Sequence, residues 1–128
     1  MRFLKPILLC WLLITVGCTE REEISDLQVR FKNTTDFDIE NLKISDKTIG
    51  TLNSYQSTQY IDFEKFGFDS GLPDENCIGL INNEAIESFN KLYWCGTQKN
   101  TVYKGFYEMI ITLKEVNGTN YLMLKNQN

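Results

Sequence analysis

The sequence contains no histidine among its 128 residues. This absence excludes the nucleophilic and acid–base schemes that are built on imidazole, and it removes the commonest metal ligand. Basic residues are also few and unclustered, with 13 lysines and arginines against 17 acidic residues. A chain with this balance has little electrostatic attraction for phosphate backbones, so we expect no nucleic-acid partner.

Long apolar runs are scarce, and the one clear run lies at the N-terminus. Residues 6–17 are apolar apart from Thr15. As a helix they would be about 18 Å long, against about 30 Å of bilayer hydrocarbon, which is too short to span comfortably. Arg2 and Lys5 precede the run, and the small residue Gly17 ends it. This layout is typical of a secretory signal peptide, here over residues 1–17.

The end of the signal carries a resemblance. Thr15-Val16-Gly17-Cys18 resembles the bacterial lipoprotein signal, in which a small residue precedes an obligatory cysteine; Thr15 stands where that family usually has an aliphatic side chain. The resemblance implies that Cys18 is lipidated and becomes the N-terminus of the mature protein. The alternatives are an ordinary signal that is cleaved after Gly17 and an anchor helix that is not cleaved.

Cysteine usage agrees with lipidation. Of the four cysteines, Cys10 would leave with the signal and Cys18 would carry the lipid, so that the even pair Cys77 and Cys95 is left in an oxidising compartment. We predict a disulfide between them, which would close a loop of about 18 residues and contribute about 3 kcal/mol. Two buried free thiols are the alternative. A metal pair is disfavoured, because no histidine and no further cysteine is available.

The mature chain is more acidic than the full sequence. Removing residues 1–17 takes away Arg2 and Lys5 but no acidic side chain, which changes the formal net charge from −4 to −6. Residues 18–26 are polar, and we interpret them as a flexible acidic tether. Their acidic tract resembles the export signal of some Bacteroidota surface lipoproteins, which implies the outer membrane, at its periplasmic face or at the cell surface. Residues 27–128 suffice for one domain.

Alternating hydrophobicity runs through residues 27–128. Leu27, Val29 and Phe31 share one face of a predicted strand, and "NTTD" after them is a turn signal. From Phe37 to Ile44 the alternation slips by one residue, which predicts a β-bulge near Glu40–Asn41. Further strands are predicted at 48–52, 58–63, 77–81, 85–95, 105–116 and 120–125, and a short helix is the alternative over 85–92. Tight turns are predicted at 82–84 and 117–119, and a long loop is predicted at 67–76. Seven or eight antiparallel strands of this kind predict an all-β chain folded as a single β-sandwich.

Two features resemble known domains. Gly105 stands two residues before Tyr107 at the start of a late strand, which resembles the tyrosine corner of immunoglobulin-like domains. The order of "VRFKNTTDFDIENLKI", "IGTLNSYQSTQYIDF" and "YKGFYEMIITL" is similar to that of small Bacteroidota lipoproteins with sandwich domains. These resemblances imply an immunoglobulin-like sandwich and a location in the envelope, but they imply no reaction.

Carboxylates and aromatics supply the remaining candidate sites. One predicted strand face carries three acids, and the long loop carries three more: Asp36, Asp38, Glu40; Asp69, Asp74, Glu75. Either set would suit a cation, but a solvated strand face and a plain polar loop are the favoured interpretations, and we expect no metal or cofactor. Tyr93 and Trp94 are candidate ligand contacts. They would point to opposite faces of a strand, so one would pack in the core and the other would be partly exposed.

Three functions follow from these residues. The first is a non-catalytic binding module, attached to the membrane by its lipid anchor, with an envelope protein or a glycan as partner. The second is an inhibitor or immunity-type lipoprotein that blocks an enzyme through a loop such as residues 67–76. The third is a hydrolase that uses carboxylates alone, which no acid spacing singles out. We therefore expect that the protein is not an enzyme.

The lipid anchor is directly testable by mass. We predict that protein extracted from membranes has the intact mass of a chain that starts at Cys18 and carries acyl groups, because only several acyl chains give stable anchoring. Cys18→Ala is expected to abolish that added mass. A wild-type chain that starts at Met1, or at an unmodified Cys18, would contradict the prediction.

Overall fold

The computed structural model describes residues 26–89 and 98–127, and all regular structure in these two ranges is β. The strands are β1 (Leu27–Asn33), β2 (Ile39–Ile44), β3 (Lys47–Leu52), β4 (Ile61–Phe63), β5 (Phe66–Asp69), β6 (Leu72–Pro73), β7 (Cys77–Ile81), β8 (Glu84–Glu87), β9 (Lys99–Val102), β10 (Gly105–Val116) and β11 (Thr119–Asn126). The all-β prediction is confirmed. The expected seven or eight strands are too few, because three short strands, β5, β6 and β9, lie where the sequence predicted a loop or no strand.

The strands form three open sheets. Sheet A has the order β11-β10-β1-β4, sheet B has β3-β2-β7-β8, and sheet C has β6-β5-β9. Neighbouring strands are antiparallel except for β1 and β10, which pair in parallel from Leu27 opposite Gly105 to Asn33 opposite Ile111. The expectation of a purely antiparallel domain is therefore wrong for this pair. A parallel pair needs a long crossover, and the chain between β1 and β10 supplies it by building sheets B and C.

One hydrophobic core lies between the sheets in a sandwich-like arrangement. Alternate residues of β1 and β10 point inward from sheet A and meet residues of sheets B and C; the buried set includes Leu27, Val29, Phe31, Met109, Ile111, Ile39, Leu42, Ile44, Cys77, Ile81, Phe66 and Phe68. Phe31, Phe63 and Phe66 form an aromatic cluster, with ring centroids 5.4–6.4 Å apart. These separations are typical of edge-to-face and tilted ring packing, which adds to the stabilisation from buried apolar area.

The predicted β-bulge in β2 is confirmed. The pairing register with β3 shifts between Ile39 and Leu42, and Asn41 has a positive φ of 49°. The extra residue turns Leu42 and Ile44 to the same side as Ile39, and all three are fully buried. Phe37 is different: it was expected on the face of this strand, but it lies in the preceding loop and is exposed.

The hairpin predicted around Asn82–Asn83 is also confirmed. Both asparagines have positive φ, 51° and 64°, as a two-residue hairpin turn requires. Strand β8 then extends to Glu87, which decides for strand over helix at the start of the ambiguous segment. Residues 90–95 of that segment lie outside the described residues.

The predicted long loop at 67–76 is wrong. Phe66–Asp69 and Leu72–Pro73 pair as a small hairpin, and its tip, Ser70–Gly71, has positive φ at both residues. Strand β9, Lys99–Val102, completes this sheet and was not predicted. It has almost no apolar face, so periodicity could not reveal it.

Gly79 of β7 lies close against the backbone and side chains of β2. A Cβ atom added at Gly79 would come nearer to Cγ2 of Ile39 than real Cβ atoms come to other atoms, and it would lie 3.3 Å from the backbone oxygen of Glu40. The bulge at Glu40–Asn41 brings this backbone inward, so glycine is required here for space. Gly67 is a contrasting position, where the nearest atoms lie at 3.4 Å and beyond.

We predict that Gly79→Ala destabilises the domain by about 1–3 kcal/mol, because the added methyl group overpacks the junction of β2 and β7. The measurement is the free energy of unfolding from urea titration. Gly67→Ala is the matched control and should change that free energy by less than about 0.5 kcal/mol. Equal effects of the two substitutions would show that close packing does not explain Gly79.

Candidate functional site

Two loops meet at the end of the domain where β1 finishes. The first loop, residues 34–38, joins β1 to β2, and the second, residues 53–60, joins β3 to β4. Backbone hydrogen bonds fasten the second loop to the end of β1: Tyr55 N donates to Asn33 O at 2.7 Å, and Asn33 N donates to Gln56 O at 2.9 Å. The position of both loops is therefore set by the last residue of a central strand.

Asn33 also organises these loops through its buried side chain. Its amide nitrogen donates to the carbonyl oxygens of Phe37, at 2.7 Å, and Leu52, at 3.0 Å. Its amide oxygen accepts from the backbone N–H of Thr35 at 2.9 Å and from the Thr35 hydroxyl at 2.7 Å. All four hydrogen-bonding positions of the amide are used, and the side chain is fully buried. A satisfied polar group of this kind holds a loop in one conformation.

Further hydrogen bonds tie the two loops to each other and to β10. The Ser54 hydroxyl donates to the carbonyl oxygen of Thr35, and Ser54 N donates to a carboxylate oxygen of Asp38 at 2.7 Å. Thr34 donates to the carbonyl oxygen of Ile111 through both its N–H, at 3.0 Å, and its hydroxyl, at 2.8 Å. The loops are thus fixed before any ligand arrives.

The surface that these loops present combines aromatic rings with acidic groups. Tyr55 is 57% exposed and Phe37 is 41% exposed, and Asp36 and Asp38 are exposed beside them. We call Asp36, Phe37, Asp38, Ser54 and Tyr55 the distal loop site, because it lies at the opposite end of β1 from Asp26, where the chain enters the domain. The site carries two carboxylates and no cationic side chain.

Asp36 and Tyr55 interact directly. The hydrogen bond that the Tyr55 hydroxyl donates to Asp36, followed by the negative charge of that carboxylate, raises the pKa of the phenol above its ordinary value of 10.0. The Tyr55 phenol therefore keeps its proton, and remains a donor, until the pH rises through this raised pKa. At neutral pH the phenol is a neutral donor, and the site keeps its negative charge from Asp36 and Asp38.

The three acids expected on one strand face are not arranged that way. Only Glu40 lies in β2; Asp36 and Asp38 precede it in the loop, and each accepts a hydrogen bond from the neighbouring loop, from Tyr55 and Ser54 respectively. The expectation failed because it extended the strand two residues too early. These carboxylates hold loops together, and within residues 26–89 and 98–127 no cluster of acids and cysteines could hold a metal ion.

The acidic residues of the segment 67–76 line a recess that is separate from the distal loop site. Asp69, Asp74 and Glu75 line a recess of about 70 Å³ together with Leu72, Phe89 and Leu122. Glu75 accepts a hydrogen bond from Gly67 N at 2.8 Å, so its carboxylate braces the hairpin of β5 and β6. The recess is smaller than the cavities that typically enclose a small-molecule ligand.

Most site residues predicted from the sequence lie outside the described residues: Cys18, Tyr93, Trp94 and Cys95. Cys77 is described, and it lies buried at the start of β7 opposite Ile44. Burial raises the pKa of its thiol to about 12, so as a free thiol it would be unreactive at neutral pH. Its disulfide with Cys95 stays a prediction.

Sequence reasoning missed Phe37 and Tyr55 as site residues. The available signal was Asn33, which continues the inward alternation of Leu27, Val29 and Phe31 but is polar. A buried amide at the end of a strand needs hydrogen-bond partners, and the nearest ones are in loops. Thr35 and Phe37 lie in the loop that directly follows Asn33, whereas the partner Leu52 is distant in sequence and could not be identified from it.

Comparison with known proteins identifies no relative. No family model, no curated protein and no solved structure matches the chain. In the part of the chain that the structure describes, no helix has the length and apolar character needed to cross a membrane. Function must therefore be inferred from the chain's own residues.

We predict that Asn33→Ala destabilises the domain by about 2–4 kcal/mol, because it leaves buried groups such as Leu52 O and Thr35 N without their partner. Urea unfolding measures this loss, and hydrogen exchange should accelerate at residues 34–38. Asn53→Ala, at an exposed asparagine in the adjoining loop, is the matched control and should change stability by less than about 0.5 kcal/mol. Similar values for the two variants would contradict a central role for Asn33.

Proposed function

We propose that the protein is a cell-envelope lipoprotein, anchored through a lipidated Cys18, whose β domain is a non-catalytic binding module. The observation that carries the proposal is the distal loop site, where rigid loops expose Phe37 and Tyr55 beside Asp36 and Asp38. The sequence signals over residues 1–18 support the anchor, and the tether 18–26 leads to the opposite end of the domain. The binding surface then faces away from the membrane.

Geometry supports this orientation. β1 runs from Leu27 to Asn33, a distance of about 20 Å at the usual rise per residue of a strand. Asp26 stands at one end, and the distal loop site stands at the other. A lipid anchor before Asp26 would place the loops outward, where a partner in the envelope can reach them.

The chemistry of the site supports a protein partner with a basic surface. Exposed aromatic side chains on rigid loops are typical of the residues that dominate protein interfaces, since little conformational entropy is lost when they bind. Asp36 and Asp38 supply two of the negative charges of a mature chain whose formal net charge is −6. Such a surface favours encounter with lysine- and arginine-rich partners.

The finer classification as an immunoglobulin-like sandwich belongs to this proposal. Its support is the packing of Tyr107, whose ring would lie 3.1 Å from a Cβ atom added at Gly105, a residue with a positive φ of 114°. Only glycine suits that position, which agrees with the Gly-x-Tyr resemblance to a tyrosine corner.

The inhibitor interpretation has less support. It requires a protruding loop at residues 67–76, but this segment is a hairpin whose tip is fastened to sheet A. Asn126 donates from its side-chain nitrogen to Gly71 O at 2.8 Å, and Asp74 N donates to Gly67 O at 2.8 Å. A tip held in this way is poorly placed to enter the cleft of an enzyme.

Affinity capture from detergent-solubilised envelopes tests the proposal with four forms of the mature lipoprotein: wild type, Tyr55→Ala, Phe37→Ala and a control variant. Wild type is expected to retain a stoichiometric protein that 0.5–1 M salt releases, at roughly the ionic strength that screens exposed charges. Tyr55→Ala should lower capture about tenfold, as loss of a central aromatic contact does. Tyr103→Ala, at an exposed aromatic at the opposite end of the domain, should leave capture unchanged.

Two outcomes would overturn the proposal. Capture that survives Tyr55→Ala and Phe37→Ala would show that the distal loop site is not the binding surface. Release of the captured material by envelope glycans, with no effect of salt, would replace the basic protein partner by a glycan.

A further inference from the structure

The two most exposed large hydrophobic side chains among the described residues lie close together. Phe106 is 73% exposed and Tyr103 is 65% exposed. Tyr103 follows β9, and Phe106 is the second residue of β10. Side chains of this size are usually covered, so two neighbouring exposed rings indicate a surface that meets something apolar.

These rings stand where the chain enters the domain. Gly105 N donates to Asp26 O at 2.9 Å, and the register of β1 and β10 places Leu27 opposite Gly105. The turn between β4 and β5, which contains Lys65, is at the same end, because Phe63 pairs with Leu27. We call Lys65, Tyr103, Lys104 and Phe106 the proximal end.

Phe106 is held in its exposed position by neighbouring side chains. The ring of Tyr60 meets it edge to face, with centroids 5.4 Å apart and an interplanar angle of 90°. Tyr60 in turn donates to a Glu108 carboxylate oxygen at 3.1 Å and lies 5.1 Å from the guanidinium carbon of Arg30, which forms an ion pair with Glu108. Phe106 is therefore a fixed part of the outer face of sheet A and cannot turn into the core, which Tyr107 and Met109 face instead.

We propose that the proximal end docks on the bilayer that holds the lipid anchor, with Tyr103 and Phe106 in the interfacial layer. This inference rests on the proposed lipidation of Cys18. A flexible chain of nine residues has a root-mean-square span of about 17 Å, so the tether predicted over residues 18–26 would keep this end of the domain close to the membrane. At such a high effective concentration, even weak interfacial contacts of two rings suffice to hold the end in place.

The side chains of the proximal end suit an interface between water and lipid. Tyrosine places an apolar ring and a hydroxyl at the level of the headgroups, and phenylalanine reaches the adjoining hydrocarbon. Lys65 and Lys104 are exposed beside them, and their stems allow the ammonium groups to reach headgroup phosphates. Asp26 and Glu64 balance these two charges at the same end, so binding would depend on the rings more than on anionic lipid.

Photolabelling from the membrane side tests the docking. The mature lipoprotein is placed in phosphatidylcholine vesicles that contain a phospholipid with a diazirine in its upper acyl chain, and labelled positions are mapped by mass spectrometry. Labelling of residues 103–106 should exceed labelling of residues 53–56 about tenfold, since Tyr55 is similarly exposed but lies at the far end of β1. Tyr103→Ser with Phe106→Ser should remove this difference, and Tyr55→Ser should preserve it.

The outcomes separate this inference from the proposed function. An acylated Cys18 with equal labelling at both ends, or with labelling centred on the distal loop site, would overturn the docking and leave the anchor intact. Absence of acyl groups at Cys18 in the intact mass would overturn the anchor itself. An acylated protein with residues 103–106 unlabelled would mean that another surface, such as a second copy, covers the rings, which also overturns the docking.

Tyr103→Ser alone leaves the contact of Tyr60 with Phe106 in place and should lower the labelling of residues 103–106 about twofold.

Discussion

The parallel pairing of β1 with β10 is the constraint on which the rest of the domain depends. It places Leu27 beside Gly105 and Asn33 beside Ile111, so that one end of β1 receives the chain and the other end supports two loops. β4 closes the other side of β1 through Val29 and Ile61, which makes β1 a central strand of sheet A. Both surfaces with functional interest are defined by the two ends of this strand.

Local patterns predict much of the fold but little of its connectivity. The slip in alternation between Ile39 and Leu42 revealed the bulge in β2, and Asn82–Asn83 revealed a hairpin turn, because both effects act within a few residues. The alternation of apolar and polar residues predicts which residues share a face of a strand, but it does not predict which strands are neighbours in a sheet. The parallel partner of β1 was therefore not predictable from its own residues, and the polar strand β9 left no periodic signal.

The distal loop site shows the same division. The polar residue Asn33 was visible in the sequence at an inward position, but its partner Leu52 becomes a neighbour only when β1, β2 and β3 are assembled. Tyr55 lies in the stretch "NSYQS", for which the sequence predicts a loop and nothing more. Its value as a site residue comes from the fixed loop backbone and from Asp36, and neither is a property of the stretch itself.

The position of β1, which runs from the proximal end of the domain to the distal loop site, also has a mechanical consequence. If a partner held at Asp36 and Phe37 pulls against a lipid anchor at Cys18, the tension passes along the covalent backbone of β1 from Asp26 to Asn33, because these two residues directly follow the strand. The hydrogen bonds from β1 to β10 and β4 then bear little of the load, and any load that they do bear is shear along the strand, shared among several bonds at once. Such a domain would transmit force between a membrane and a partner without being pulled open strand by strand.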